Sequence, residues 1–134
     1  MQVPNFQEYS KTKEIFDTYV KILSWAHLNF QLQKTLQKEE LSQTTQEQLI
    51  TLGFQGDIPQ QSQQLFTEDG FCSSLQTSKR IASFTLKEVG LDLALFEQAE
   101  EGIQNAYEHV KGESDVLLEK SLAQTLETLS IFKP

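Results

Sequence analysis

The sequence is short of the residues on which most disulfide, metal and nucleophilic sites depend. Its 134 residues include a single cysteine, Cys72, and two histidines, His27 and His109. One cysteine excludes an intrachain disulfide and a cysteine-rich zinc site, and two histidines outside any known motif offer too few metal ligands. We therefore expect no catalytic residue, no metal and no cofactor, and we interpret Cys72 as a small apolar core residue.

Basic residues are also scarce. The 11 lysines and arginines are outnumbered by 19 acidic residues, which gives a formal net charge of -8. Nucleic-acid-binding domains cluster Lys and Arg on one face, and helices that lie on anionic membranes carry them along the polar face. Here they are scattered, and a predicted helix at residues 92–111 presents glutamates instead. We expect neither a nucleic-acid partner nor a membrane partner.

Long apolar runs and phosphate-binding loops are missing too. Residues 1–8 lack the basic and apolar regions of a secretory signal, and no stretch approaches the roughly 20 apolar residues of a membrane-spanning helix. Gly53 and Gly56 are followed by Asp57 rather than by the Lys-Ser/Thr of a P-loop. These absences favour a cytoplasmic protein with no small-molecule substrate.

What the chain does contain is enough apolar residues for a core. Hydrophobic residues make up 38% of the sequence, and nine phenylalanines are distributed along it. A chain of this size can bury a core without metals or disulfides. We expect one helix-rich domain over residues 1–134.

The first element is an amphipathic helix at about residues 7–25. Its apolar positions have helical spacing and include Ile15, Tyr19, Ile22 and Trp25. The apolar arc spans about 160°, which is wider than the roughly 100° stripe of a helix that packs on one side only. One edge of this helix is therefore available to contact something other than the core.

After this helix the apolar period changes from 3.6 to 2. Leu28, Phe30 and Leu32 alternate with polar residues, which is typical of a half-buried strand at residues 27–33. A partner strand is predicted within residues 37–44. The predicted fold class is accordingly α+β, mainly α: a helical bundle with a small antiparallel β-sheet of two or three short strands inserted after the first helix.

A short helix is predicted at about residues 45–52. Thr45 and Gln48 have capping-box spacing, and Gly53 followed by Phe54 is typical of a helix C-terminus. Residues 60–66 are predicted to form a short helical turn. The Gln-rich run within this turn has the composition of a solvated surface, so we assign it no role.

Three longer helices are predicted in the second half, each from an apolar face and an end signal. They span residues 71–89, ended by Gly90; residues 92–111, capped by Asp92; and residues 114–132, begun by Ser114. Gly102 lies within the apolar stripe of the middle one. Because a glycine inside a helix costs about 1 kcal/mol relative to alanine, we expect a neighbouring backbone to approach closely there.

Protein binding is the function that remains after these exclusions. Phe84 projects on the polar side of its helix, and Ile22 and Trp25 lie at the margin of the broad arc on the first helix. Such residues anchor many protein interfaces, and packing against the inserted strand is the alternative. The predicted partner-binding set is Ile15, Tyr19, Ile22, Trp25 and Phe84.

Four segments resemble a family of small proteins from Campylobacter, Helicobacter and their relatives that is often labelled "hydrogenase-4 component G". Residues 65–71 (LFTEDGF) and 76–84 (QTSKRIASF) are similar to the family motif EDGFFG followed by QTSxRIAxF. Residues 52–58 and 101–103 are similar to its LGYxGxxI segment and to the end of its GREGI segment. The sequence departs from the family at Glu100, where the family has Arg, and at residues 106–107 and 111–114.

The resemblance implies a helix-rich bundle with a few short strands and no enzyme activity. Within the family the chain is most similar to a Helicobacter co-chaperone of the flagellin export chaperone, a FliS-type helical protein. It thus implies an adaptor that binds this chaperone and, through it, flagellin, and that assists the chaperone's folding or activity in flagellar assembly. The family label supplies an alternative, a non-catalytic accessory protein of a hydrogenase complex, and a self-assembling structural protein is a third.

Overall fold

The computed structural model describes residues 6–38, 41–112 and 115–134, with side chains from residue 11 onward. Over these residues the chain is a helical bundle without a β-strand. It consists of α1 (Phe6–Lys38), α2 (Gln43–Thr51), a 3-10 helix (Ser62–Phe66), α3 (Ser74–Val89), α4 (Leu93–Val110) and α5 (Val116–Phe132). Within the described ranges, no helix is both long and apolar enough to cross a membrane.

The predicted β-sheet is wrong. Residues 27–33 are an uninterrupted part of α1, and the predicted partner strand at 37–44 is divided between α1, α2 and residues outside the described ranges. The alternation of Leu28, Phe30 and Leu32 arises because α1 is covered on two sides. Phe30 enters one hydrophobic cluster, while Leu28 and Leu32 enter another. At about 100° per residue, positions two apart face nearly opposite directions, so a helix buried between two cores imitates the strand pattern.

The two clusters divide the interior. The bundle core is formed by α1, α3, α4 and α5 and includes Phe30, Phe96 and Ile103. The satellite core joins the C-terminal half of α1 to α2, the 3-10 helix and the segment leading into α3. Its buried members are Leu32, Leu36, Leu49, Leu52, Leu65 and Cys72.

Polar contacts fix the helix directions. Lys11 of α1 pairs with Asp92 at the start of α4, and Lys34 Nζ donates to Val110 O at the end of α4 at 2.7 Å. The two helices therefore run parallel. Asn29 contacts Arg80 of α3, and Gln33 contacts Ser121 of α5, with Lys21 near Glu88 and Gln37 near Asp115. Residue numbers rise along α1 as they fall along α3 and α5, so these two helices are antiparallel to α1.

The close approach predicted at Gly102 is confirmed. A Cβ on Gly102 would lie 3.2 Å from Tyr19 O and 3.4 Å from Leu23 N, both of α1. The absence of a side chain at this position lets the α1 and α4 backbones approach each other. Beside this contact, Asn105 Nδ2 donates to the Tyr19 hydroxyl at 2.7 Å.

The helix ends agree with the predictions in some places and differ in others. Asp92 caps α4 through Leu95 N, and Gly53 has φ +100 after α2, with Phe54 N bonded to Leu49 O. These two signals are confirmed. The cap of α2 is Ser42 rather than Thr45. The predicted start of α5 at Ser114 lies outside the described residues, and Asp115 is the observed cap.

The buried face of α3 is rotated from the predicted one. Phe71 precedes the helix, and Leu75 is 40% exposed. Small hydroxyl residues occupy the interior instead, and Thr85 is fully buried with its hydroxyl bonded to Ile81 O. A hydroxyl that bonds to its own helix needs no outside partner, so it can be buried against a neighbouring helix.

Candidate functional site

Two members of the predicted partner-binding set come together on the seam between α1 and α3. The rings of Trp25 and Phe84 stack with centroids 4.8 Å apart and planes inclined by 20°. Both side chains are half-buried. The indole N–H of Trp25 is buried and has no hydrogen-bond acceptor in the described part of the chain. The pair is thus a large aromatic surface that this chain covers only in part.

The other three predicted residues lie elsewhere on α1. Ile22 is 1% exposed and belongs to the bundle core. Ile15 is half-buried against the same core, and Tyr19 turns towards α4, where its hydroxyl accepts from Asn105. The structure therefore does not unite all five side chains on one surface, and Ile22 is not accessible in this conformation.

A second group of contacting side chains, two rings and one guanidinium, begins one helical turn from Phe84 and extends into the satellite core. One turn before Phe84, the Arg80 guanidinium lies over the Phe71 ring, 3.8 Å from its centroid. Phe71 in turn meets Phe54 edge to face, with centroids 5.2 Å apart. All five side chains are half-buried. We call them the aromatic row: Trp25, Phe84, Arg80, Phe71 and Phe54.

Arg80 is held without a carboxylate. Its Nε donates to Asn29 Oδ1 at 3.0 Å, Nη1 donates to Phe71 O, and Nη2 donates to Thr77 Oγ1 at 3.2 Å. Burial lowers the pKa of the guanidinium from 12.5 to about 10, so the group remains charged at neutral pH. A fixed cation stacked on an aromatic ring suits recognition, because Arg combines stacking with a fixed set of hydrogen-bond donors.

A second polar network lies behind the row, within the protein. Gln33 is fully buried, and its Nε2 donates to Cys72 O at 3.0 Å and to Ser121 Oγ at 2.9 Å. It ties α1 to α5 and to the segment before α3. Burial raises the pKa of the Cys72 thiol to about 12, which suppresses the reactive thiolate. Cys72 is therefore a structural residue of the core, as the sequence predicted.

The aromatic row unites three of the segments on which the family resemblance rests. Phe54 belongs to the LGFQGDI segment, Phe71 to EDGF, and Arg80 and Phe84 to QTSKRIASF. The prediction from sequence included Trp25 and Phe84 but omitted Phe54, Phe71 and Arg80. The motif spacing was a signal for all three, because segments far apart in the chain that share a motif often meet in space.

A groove lies at the end of the bundle where α1 finishes and α3 and α5 begin. Its volume is about 1340 Å³. Its apolar lining consists of Leu36, Leu41, Phe66, Leu75 and Leu117. Polar side chains surround this floor, among them Gln60, Gln61, Gln63, Gln124, Lys38 and Lys120. The Gln-rich run to which no role was assigned thus forms one side of a concave surface.

Apolar side chains are also exposed at the opposite end of the bundle. Phe16 is 63% exposed, Leu91 is 90% exposed and Phe132 is 56% exposed. They lie on α1, on the turn before α4 and on α5 respectively. Unlike the aromatic row, they have no ring contacts with one another.

A search of the described residues for metal-binding arrangements finds no group of three or more His, Cys, Asp or Glu side chains. The ion pairs in this part of the chain, such as Lys111 with Glu108 and Lys133 with Glu100, lie at the surface. Comparison of the chain with protein-family models, with curated proteins and with solved structures finds no match.

Proposed function

We propose that this chain is a cytoplasmic adaptor, a co-chaperone that binds the helical flagellin export chaperone and assists its folding or its activity. The observation that carries the proposal is the aromatic row, a half-covered surface of aromatic rings and one half-buried guanidinium. The partner's identity rests on the family resemblance in residues 52–58, 65–71, 76–84 and 101–103. Three of these segments contribute to the row.

The composition of the row favours protein recognition. Tryptophan, tyrosine and arginine are enriched among the residues that dominate binding energy at protein interfaces. Trp25 and Arg80 both belong to the row, and both are already immobilised by contacts within the chain. Ordered side chains lose little conformational entropy on binding, so more of their contact energy becomes affinity.

The location of the row suits a helical partner. Its members Trp25, Phe84 and Arg80 lie at the seam between α1 and α3, where a third helix can place its side chains between those of the first two. A standard protein interface buries about 1,600 Å² in total, far more than the row alone provides, so neighbouring residues of α1 and α3 must take part.

The chain contains one tryptophan, so intrinsic fluorescence reports directly on the site. Titration of this protein with a tryptophan-free variant of the export chaperone is expected to shift the emission of Trp25, because docking changes the environment of its indole. Phe84→Ala should weaken the affinity, measured by calorimetry, at least tenfold, which corresponds to about 1.4 kcal/mol.

The matched control is Phe132→Ala, which removes the same ring from the opposite end of the bundle. Far-ultraviolet circular dichroism should show that both variants remain helical. A substitution at Ile22 is unsuitable, because that side chain is 1% exposed and a change there disrupts the core. If Phe84→Ala and Phe132→Ala bind the chaperone equally well, the aromatic row is not the docking surface. If the wild-type protein does not bind it, the proposed function is wrong.

A further inference from the structure

The groove between α1, the 3-10 helix, α3 and α5 differs in chemistry from the aromatic row. Its floor is apolar, and Leu75, one of the residues that form it, is 40% exposed. Small-molecule pockets measure about 300–1,000 Å³. At about 1340 Å³ this groove exceeds that range and is open to solvent along its length, which suits a segment of polypeptide better.

Amide side chains dominate the polar rim. Within the described part of the chain, the side chains of Gln60, Gln61 and Gln63 make no hydrogen bond, so their donors and acceptors remain available. An amide side chain presents both a donor and an acceptor, as a peptide unit does. An α-helix satisfies its own backbone groups apart from the ends, whereas an extended segment presents all of them. The rim therefore matches an extended backbone.

Gln124 supplies a second, independent indication. Gln124 lines the groove, and its buried Oε1 atom lacks a hydrogen-bond donor within the described part of the chain. A buried acceptor without a partner destabilises the protein by about 1–3 kcal/mol, so a ligand N–H that reaches it gains that much in return. A backbone N–H of an extended peptide provides such a donor.

The charges at the groove favour an acidic ligand. Lys38 and Lys120 line it together with one carboxylate, that of Glu68. In the described part of the chain neither lysine forms an ion pair. Among the described lining residues two lysines outnumber one carboxylate, so this part of a chain of net charge -8 attracts acidic side chains rather than repels them.

We propose that this groove binds an extended segment of a partner protein, with alternate apolar side chains on the leucine floor, backbone groups on the glutamine amides and acidic residues near Lys38 and Lys120. The site is separate from the aromatic row, and the proposal does not depend on the flagellar assignment. It gives the protein a second binding surface at the end of the bundle.

The experiment uses a phage library of random 12-residue peptides selected on the full chain. Enriched peptides are expected to be acidic and to alternate apolar with polar residues. An alanine scan of the best peptide, read by fluorescence anisotropy, should show essential residues at every second position, the period of an extended chain. Essential residues at positions i, i+3 and i+4 would identify a helical ligand and overturn the proposal, as would the recovery of basic peptides or of none.

Variants of the protein locate the site. Leu75→Glu, at a solvent-accessible position, should weaken the selected peptide at least tenfold, and the double variant Lys38→Glu/Lys120→Glu should weaken it by about tenfold. Gln124→Met keeps the length of the side chain but removes the amide, and should weaken binding severalfold. Lys79→Glu/Lys87→Glu, at two exposed positions of α3 outside the groove lining, is the control that matches the double variant in charge. Binding that survives all three groove variants would overturn the proposal, while loss of export-chaperone binding in Phe84→Ala alone concerns only the aromatic row.

Discussion

The bundle core and the satellite core are built differently. The bundle core is formed by four long helices, and fully buried residues such as Phe96 and Ile103 fill it at every level. The satellite core gathers a short α-helix, a 3-10 helix and irregular segments around one side of α1, and aromatic side chains that remain half-exposed complete it. Both candidate binding surfaces lie beside the satellite core. The long helices support these two surfaces, and the segments around α2 and the 3-10 helix contribute side chains to both of them.

The helix shared by the two cores explains how the irregular part is held. α1 has 33 residues, about 50 Å of helix, and its C-terminal half is covered on both sides. Phe30 packs into the bundle core, while Leu32 and Leu36 pack into the satellite core. The segment that contains α2 and the 3-10 helix is therefore anchored on a helix that the bundle core already stabilises. We expect the two cores to have unequal stabilities, and the following predictions test this.

The largest effect is expected in the bundle core. Phe30→Ala removes a fully buried ring that contacts Tyr107 edge to face, and should lower the free energy of unfolding by about 3–5 kcal/mol. Chemical denaturation followed by circular dichroism measures this loss. Phe16→Ala, at a ring that is 63% exposed, is the control and should change stability by no more than about 0.5 kcal/mol. Equal losses in the two variants would contradict the placement of Phe30.

A smaller and more local effect is expected in the satellite core. Leu49→Ala should lower the free energy of unfolding of the satellite core by about 2–3 kcal/mol, mainly in α2 and its neighbours. Cys72 reports on it, because its buried thiol, with a pKa raised to about 12, reacts with a disulfide reagent only after the core opens. Labelling of Cys72 should accelerate more than tenfold in Leu49→Ala while hydrogen exchange in α4 stays unchanged. Faster exchange throughout α4 would show instead that the two cores open as one unit.

The smallest effect is expected at the surface, where α4 begins. The hydrogen bond from Lys11 holds the pKa of Asp92 below its usual value of 3.8. Because the pKa is lower in the folded state, the contribution of this carboxylate to stability is present above pH 3.8 and disappears as the pH falls through the folded value. Asp92→Asn keeps an oxygen that can cap α4 but removes the ion pair. Its melting temperature should fall slightly below that of the wild type at neutral pH and equal it in acid; a difference that persists in acid would contradict this account.

The sequence was informative where a helix has one buried side. In α4 the apolar period survives intact because solvent covers the other face. The apolar residues that the period places on one side of this helix are all buried: Leu95, Phe96, Ala99, Ile103, Ala106, Tyr107 and Val110. In α1 the residues between the two cores broke this period, and Asn29 and Gln33 are fully buried although their polarity suggests exposure. Their hydrogen bonds to Arg80, Cys72 and Ser121 make that burial possible, and no local pattern reveals them.

The candidate binding surfaces show the same limit. Trp25 and Phe84 could be proposed from the sequence because each is a large ring at the polar margin of an amphipathic helix. Phe54 and Phe71 could not, since their places depend on the path of an irregular segment. The groove is assembled from residues as distant as Lys38 and Lys120, and its shape follows from tertiary packing alone.

The antiparallel course of α1 and α5 has a practical consequence for how this molecule is handled. α1 begins at Phe6 and α5 finishes at Phe132, and both of these points lie towards the end of the bundle away from the groove. A fluorophore or a linker attached at position 132, where the side chain is 56% exposed, is therefore expected to lie away from the concave surface. Immobilised through that position, the protein would present its groove to peptides in solution.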